Sequence, residues 1–183
     1  FENGSYVNPI IFDNVDFRSS SGPNSFGAKL ARTFSQMGHQ ITDEDPDLQF
    51  SFISISRKLA PTILRLDGIY FNTDQDFKSL NEAINKTYDI SKSVIFQSDF
   101  NKKLVEEWFG KHESSYVIRN GTNTDVINSI QILENNLLDE FENIWACASS
   151  WRPHKRLDEN IRYFLEFSGK NDCLVVAGEN PDS

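Results

Sequence analysis

The sequence predicts an α/β protein: a Rossmann-like domain over residues 1–125, then a linker and the beginning of a second Rossmann-like domain over residues 126–183. Three observations predict it. The run Ile10-Ile11-Phe12 reads as a strand, and a polar, Gly/Pro-bearing loop and a helical periodicity follow it. Short β-branched runs then alternate with helical patterns, the rhythm of a parallel sheet with helical crossovers. The same opening returns at Ile144.

The elements follow in order. The apolar run from Tyr6 to Phe12 carries the first strand, and the loop Arg18-Ser19-Ser20-Ser21-Gly22-Pro23-Asn24-Ser25 leads away from it. Phe26, Leu30, Phe34 and Met37 recur at helical spacing up to Gly38, and Gln40-Ile41 opens a short strand. Phe50 to Ile55 alternates and reads as a strand, as does Thr62 to Leu66 after Pro61. Leu80, Ile84 and Tyr88 mark a helix within Phe77 to Ile90, and Ser93 to Phe96 a strand. Ser98 suits a helix cap, with Phe100, Leu104, Val105, Trp108 and Phe109 on one side and Gly110 as the stop. Tyr116-Val117-Ile118 then ends at the turn former Asn120-Gly121, and Thr122-Asn123-Thr124-Asp125 suits a domain junction.

Beyond the junction, Ile130, Leu133, Leu137 and Phe141 predict a helix. Ile144 to Ala148 reads as a strand, Ser149 to Arg156 as a basic loop, and Leu157 to Phe167 as a helix with Leu157, Ile161, Phe164 and Leu165 inward. Cys173 to Ala177 is a strand ending at Gly178. Two strands with one or two helices cannot close a doubly wound sheet, so this second domain is expected to be incomplete.

Composition narrows the function. The chain is 38% hydrophobic with fifteen phenylalanines, enough for a core and against disorder. A formal charge of -9 excludes a duplex nucleic-acid binder, which needs a basic footprint, but leaves local phosphate sites open. No run of eighteen apolar residues encodes a membrane span. The start, Phe1-Glu2-Asn3-Gly4-Ser5, does not read as a signal peptide, and the absence of an initiator Met suggests trimming or missing leading residues. Cys147 and Cys173 sit in apolar runs and are expected to be buried, reduced thiols, in keeping with a cytoplasmic protein. The acceptor patterns at Asn3, Asn85 and Asn120 are expected to be accidental.

Three places could carry chemistry. Gly22, Pro23, Asn24 and Ser25 precede a helix, where backbone amides and the dipole suit a phosphate or a sugar rim; Ser25 would otherwise be an ordinary cap. Arg152, His154, Lys155 and Arg156 concentrate cations at a helix start, a position the dipole disfavours unless an anion compensates. A diphosphate would do so; an ion-pair cluster with Asp158 or Glu159 is the bland alternative. Arg65 and Asp67 follow a strand on the crevice side of an open sheet, where Asp67 could accept a sugar hydroxyl or merely pair with Arg65. His39 is read as a helix C-terminal cap. No ligand spacing for a metal and no Ser-His-Asp arrangement is legible.

In order, Gly22-Pro23-Asn24-Ser25-Phe26-Gly27 with Leu30-Ala31 and Gly38-His39, Leu64 to Gly68, Phe96 to Phe100, Val117 to Gly121 and Ser149 to Leu157 resemble the retaining, two-domain glycosyltransferases of family 4, in the GT-B fold class. The resemblance implies an N-terminal acceptor domain and a C-terminal domain that binds a nucleoside-diphosphate sugar as co-substrate, with no metal or other cofactor. It implies donor-phosphate contacts from Gly22, Pro23, Asn24, Arg152 and Lys155, and acceptor or cleft contacts from Ser25, Arg65, Asp67, Ser98 and Asn120. Lys155 matches the family's lysine, whereas Ser150 stands where the family carries an arginine, with Arg152 near enough to substitute. Gly178-Glu179 resembles the start of the family's loop after the next strand. The family's glutamate pair would lie beyond Ser183, so no catalytic residue is named and residues 1–183 alone are expected to be inactive.

The partners so implied are the donor, a glycan, lipid or small-molecule acceptor and, for the full-length protein, a membrane surface met peripherally. Two other readings stand beside it: a sugar-nucleotide epimerase of similar paired-domain shape, and a noncatalytic α/β binding module. A dehydrogenase fits less well, because the spaced glycine triad and its downstream acid are missing.

Overall fold

A computed structural model describes residues 8–19, 21–131 and 136–179. The chain divides into two compact units, Phe1–Thr122 and Asn123–Ser183. Tyr6, Ser20, Leu133 and the acceptor pattern at Asn3 lie outside the described residues.

The first unit runs β1 (Pro9–Asp13), α1 (Gly22–Gln36), β2 (Gln40–Ile41), β3 (Leu48–Phe52), β4 (Thr62–Leu66), α2 (Phe77–Ile90), β5 (Ser93–Phe96), α3 (Asp99–Phe109) and β6 (Ser115–Val117). Its six strands lie in the order β2-β1-β3-β4-β5-β6, and every pair is parallel. This is a Rossmann-like α/β domain. The order reverses between β1 and β3, and open α/β sheets place ligands at the carboxyl ends of strands beside such a switch.

Side chains alternate across the sheet, so each strand feeds two cores. Ile10, Phe12, Phe50 and Phe52 meet Phe26, Leu30, Ala31 and Phe34 of α1 on one face. On the other, Leu64, Leu66, Val94 and Phe96 pack against Ile84 and Tyr88 of α2 and Val105 of α3. Burying each such side chain contributes roughly 1.5–3 kcal/mol before entropy is counted.

The helices start and stop where the local chemistry allows. Asp76 caps α2 by accepting from Ser79 N at 3.2 Å, and Ser98 caps α3 by accepting from Asn101 N at 3.1 Å, as the sequence predicts. After α1, Gly38 takes φ +93°, and Gly38 N and His39 N donate back to Ser35 O and Phe34 O, each at 3.0 Å. That is a Schellman closure, and it gives His39 the capping position expected of it.

Several expectations need correction. The strand predicted to reach Ile55 stops at Phe52, because Ile53 turns to φ +68°. The strand at Tyr116 to Ile118 is instead Ser115–Val117. Met37, Leu80, Phe100, Trp108 and Leu165, all expected inward, are exposed. Met37 is the C-cap of α1 rather than part of its buried stripe. Thr87 is buried, accepting from Ile55 N at 3.1 Å and donating to Ala83 O at 2.9 Å, so the pattern at Asn85 is part of the packed helix α2.

The connection from β3 to β4 has no helix. Residues 53–61 are irregular, and a buried polar network holds them. The Asp13 carboxylate accepts from Gln49 Nε2 at 3.0 Å, Ser51 Oγ at 3.3 Å, Ser56 N at 2.9 Å, and also from Ser56 Oγ. The Gln49 amide continues it, donating to Arg57 O at 2.9 Å and accepting from Leu59 N at 2.8 Å. Buried polar groups are tolerable because they are satisfied in this way.

The second unit contains α4 (Thr124–Ser129), a 3-10 turn at Asn136–Leu138, β7 (Asn143–Ala148), a second 3-10 turn at Pro153–Lys155, α5 (Leu157–Phe167) and β8 (Asp172–Ala177). The helix expected over Ile130 to Phe141 is not formed by the described residues there: Ile130 is the extended C-cap of α4. β7 and β8 pair in parallel, with Ile144 beside Cys173. The Trp145 ring meets Phe164 of α5 at 5.9 Å. Cys147 and Cys173 are free thiols but half-buried rather than buried, because a two-stranded sheet has too little around it to cover them. Among the described residues no helix is long and apolar enough to cross a membrane, and no group of metal-ligating side chains assembles.

Candidate functional site

In the first unit, side chains converge at the carboxyl ends of β4, β5 and β6. Arg65 projects from the α1 face of β4, only 3% exposed. One guanidinium nitrogen donates to Asn120 Oδ1 at 2.7 Å, and the other forms an ion pair with the Asp67 carboxylate, in contact but without hydrogen-bond alignment. Asn120 Nδ2 donates to Gln97 Oε1 at 3.2 Å, and Gln97 Nε2 donates to the main-chain Asp67 O at 2.9 Å, closing a ring of four residues. The guanidinium also lies over the Phe26 ring, 3.9 Å from its centroid, a cation–π contact that strengthens away from water.

A buried Arg–Asp pair is costly unless its remaining groups are satisfied. Asn120 satisfies one guanidinium nitrogen and the Phe26 ring covers the cation, while the second nitrogen has only its ion-pair contact with Asp67. Asp67, with its side chain about a quarter exposed, is the member open to solvent. Asp67 does pair with Arg65, as one of its two readings expects, and part of its side chain remains exposed. Ser98 sits beside the network as the cap of α3, its oxygen committed to Asn101 N. Asn101 in turn donates from Nδ2 to Leu66 O at 2.6 Å, tying α3 to the end of β4.

The glycine-bearing loop is arranged differently from the sequence expectation. α1 begins at Gly22, Ser21 is its N-cap without a side-chain cap bond, and Pro23 lies in the first turn. Ser25 is inside the helix, donating from its amide to Ser21 O at 2.8 Å, so it is not the cap. Asn24 Oδ1 accepts from Asp16 N at 3.0 Å and braces the β1–α1 loop. Space is open around Gly22, whereas a Cβ at Gly27 would come within 2.8 Å of Val15 Cγ1, so close packing explains Gly27.

In the second unit the basic loop lies between β7 and α5. Arg152, Lys155 and Arg156 are exposed, and among the described residues none forms an ion pair. Asp158 and Glu159, in the first turn of α5, complement the helix dipole without pairing to those cations. Arg156 is the N-cap in a left-handed conformation, φ +54° and ψ +53°. Asn160 Nδ2 donates to Arg156 O at 2.8 Å and Lys155 O at 3.2 Å, fixing the entry to the helix. The His154 side chain lies outside the description. A small cleft of about 190 Å³ is lined by Trp151, Arg152, Pro153, Arg156, Asp158 and Glu159, and Lys155 stands outside it.

Trp151 and Gly178 shape this loop; Gly178 was expected to end the strand before it, and Trp151 had no expected role. Trp151 is buried; its amide donates to Glu179 O at 2.8 Å and its indole Nε1 to Ala177 O at 3.1 Å. Gly178 has φ +118°, and a Cβ there would come within 1.8 Å of Ser149 O. Asp13 and Gln97 had no expected role; their sequence signal is place, each at or just past a strand end. Phe26, expected on the inward stripe of α1, has the further role of covering Arg65. Against known proteins, no family model matches the sequence, and no curated protein matches it.

Proposed function

We propose that the full-length protein acts as a glycosyltransferase, moving a sugar from a nucleoside-diphosphate donor to an acceptor with retention of configuration. One observation carries the reading: Arg152 and Lys155 are exposed cations beside the start of α5, with no carboxylate paired to either among the described residues. In a protein of net charge -9, unpaired cations at the unfavourable end of a helix dipole suit an anionic ligand. A diphosphate supplies several oxygens for charge-assisted bonds.

The chemistry follows from where charge develops. As the glycosidic bond breaks, negative charge builds on the departing diphosphate, and fixed cations lower the barrier by stabilising it. In this reading Arg152 and Lys155 hold the leaving group. Asp67 and Asn120, at the crevice edge of the first sheet, offer an acceptor hydroxyl a hydrogen-bonding rim. The Rossmann-like sheet, compatible with nucleotide-binding enzymes in general, supports the reading without specifying the sugar.

Calorimetric titration with UDP, GDP and ADP tests it. One of the three binds the wild-type chain. Lys155→Ala and Arg152→Ala each weaken that binding about tenfold, the loss of one charge-assisted hydrogen bond. Equal affinity in wild type and both variants removes the diphosphate role and the transferase reading with it.

A further inference from the structure

We infer that the groove between α2 and the C-terminal end of α3 is a binding site for a neutral saccharide. It is an open groove of about 400 Å³ lined by Lys78, Asn81, Glu82, Asn85, Trp108 and Phe109. Ligand sites of this size combine an apolar wall with a few placed polar groups, and both are present.

The wall is Trp108. Its side chain is 42% exposed although the helical pattern would bury it. Phe77 meets the ring edge-on, with centroids 5.1 Å apart and planes at 72°, so the indole is held in position instead of lying loose on the surface. A pinned, half-exposed indole offers a flat apolar surface with a polar N–H at its margin. The C–H face of a pyranose ring complements such a surface, while its hydroxyls point outward to polar neighbours.

The polar group is Asn85. Its Oδ1 is buried and has no hydrogen-bond partner, although it lines the groove. An unsatisfied buried acceptor costs about 1–3 kcal/mol, and a sugar hydroxyl that meets it once the amide turns toward the groove would recover that cost. The other polar groups argue for a neutral ligand. Asn81 is committed to the backbone of Tyr70 on both sides, accepting at 2.9 Å and donating at 2.6 Å. Glu82 is paired with Lys86 at 2.6 Å. Lys78 remains as a single cation, too little charge to select a phosphate over a polyol.

The test uses the three tryptophan indole N–H signals of the full chain in two-dimensional NMR, with the Trp108 signal identified by its loss in Trp108→Phe. Cellobiose and N,N′-diacetylchitobiose are titrated separately, with sorbitol as a polyol lacking a ring face. The expected result is a saturable shift of the Trp108 signal with at least one disaccharide, at a Kd of about 1–10 mM, and none with sorbitol. Asn85→Leu discriminates further. Replacing an unsatisfied amide by an apolar side chain leaves Tm unchanged or raises it, so a purely structural Asn85 predicts no other effect. A sugar contact predicts at least a fivefold loss of affinity in the same folded variant. No saturable Trp108 shift with either disaccharide, or equal affinity in Asn85→Leu, overturns the assignment.

Discussion

The two units solve the burial problem at different scales. In the first, six parallel strands carry helices on both faces, and Leu64, Leu66, Val94, Phe96 and Val105 are wholly buried. In the second, two strands and α5 leave Ile144, Val175, Val176, Leu165 and Phe167 exposed, and Trp151 is the buried hydrophobic residue among those described. The first unit is therefore held chiefly by apolar area. The second relies on point contacts: the Gly178–Ser149 backbone approach, the Trp151 hydrogen bonds, and the Asp172 carboxylate that gathers three donors. Both place polar side chains beyond the carboxyl ends of their strands, so the geometry of a crevice edge does not need a large core beneath it.

If area dominates the first unit, truncating its centre has the largest effect. Leu64→Ala is expected to cost about 2–5 kcal/mol, the range for a fully buried leucine leaving a cavity. Urea titration monitored on the Trp108 indole signal reads it, and a loss below 1 kcal/mol would contradict the assignment of that core. If point contacts dominate the second unit, Gly178→Ala is the next largest. It places a side chain on backbone at positive φ and against the fixed carbonyl of Ser149, for about 1–3 kcal/mol. The Trp151 and Trp145 signals should report that loss. Gly178→Ala with wild-type stability would show that the β8 end is free to shift.

The sheet was legible in the sequence because period-two apolar runs and helical spacing both point to burial. β4, α2 and β5 fall at the predicted positions, and Ser98 and Gly110 bound α3 as expected. What was not legible depends on tertiary partners. Phe100 and Trp108 lie on the apolar side of α3 by spacing, but α3 is a short helix with one narrow seam, filled by Leu104, Val105 and Phe109. The helix-less path from β3 to β4 was hidden because Ile53 and Ile55 continue a strand-like pattern; the donors to Asp13 that redirect it are distant in sequence or side-chain specific. At the candidate site, Arg65 and Asp67 were visible as a pair, whereas Gln97 and Phe26 gain meaning only when β5 and α1 stand beside β4. Ser25 was misplaced as a cap because helix start signals crowd from Ser21 to Ser25, and Pro23 is compatible with a start at Gly22.

The smallest expected effect separates the units by their response to acid. Asp172 stands at the start of β8, where Asn143 Nδ2 donates at 2.8 Å, Gly169 N at 2.9 Å and Trp145 Nε1 at 3.1 Å. These bonds, that from Asn143 foremost, hold its carboxyl below the ordinary aspartate value of 3.8. A carboxyl lowered on folding binds its proton less readily in the folded chain than in the unfolded one. Its contribution to the second unit is thus fully present above pH 3.8 and is lost as pH falls below that value through the folded-state pKa. Asp172 is only half-buried, so solvent screens the change, and the indole N–H shift of Trp145, a direct donor to it, reads it better than a melting curve does. On acidification the Trp145 signal should move with a midpoint below 3.8 while Trp108 stays unmoved over the same step. Asp172→Asn should remove the Trp145 transition. A midpoint at or above the ordinary value would mean that the three donors do not hold the carboxylate, and that the second unit draws its order from its apolar contacts after all.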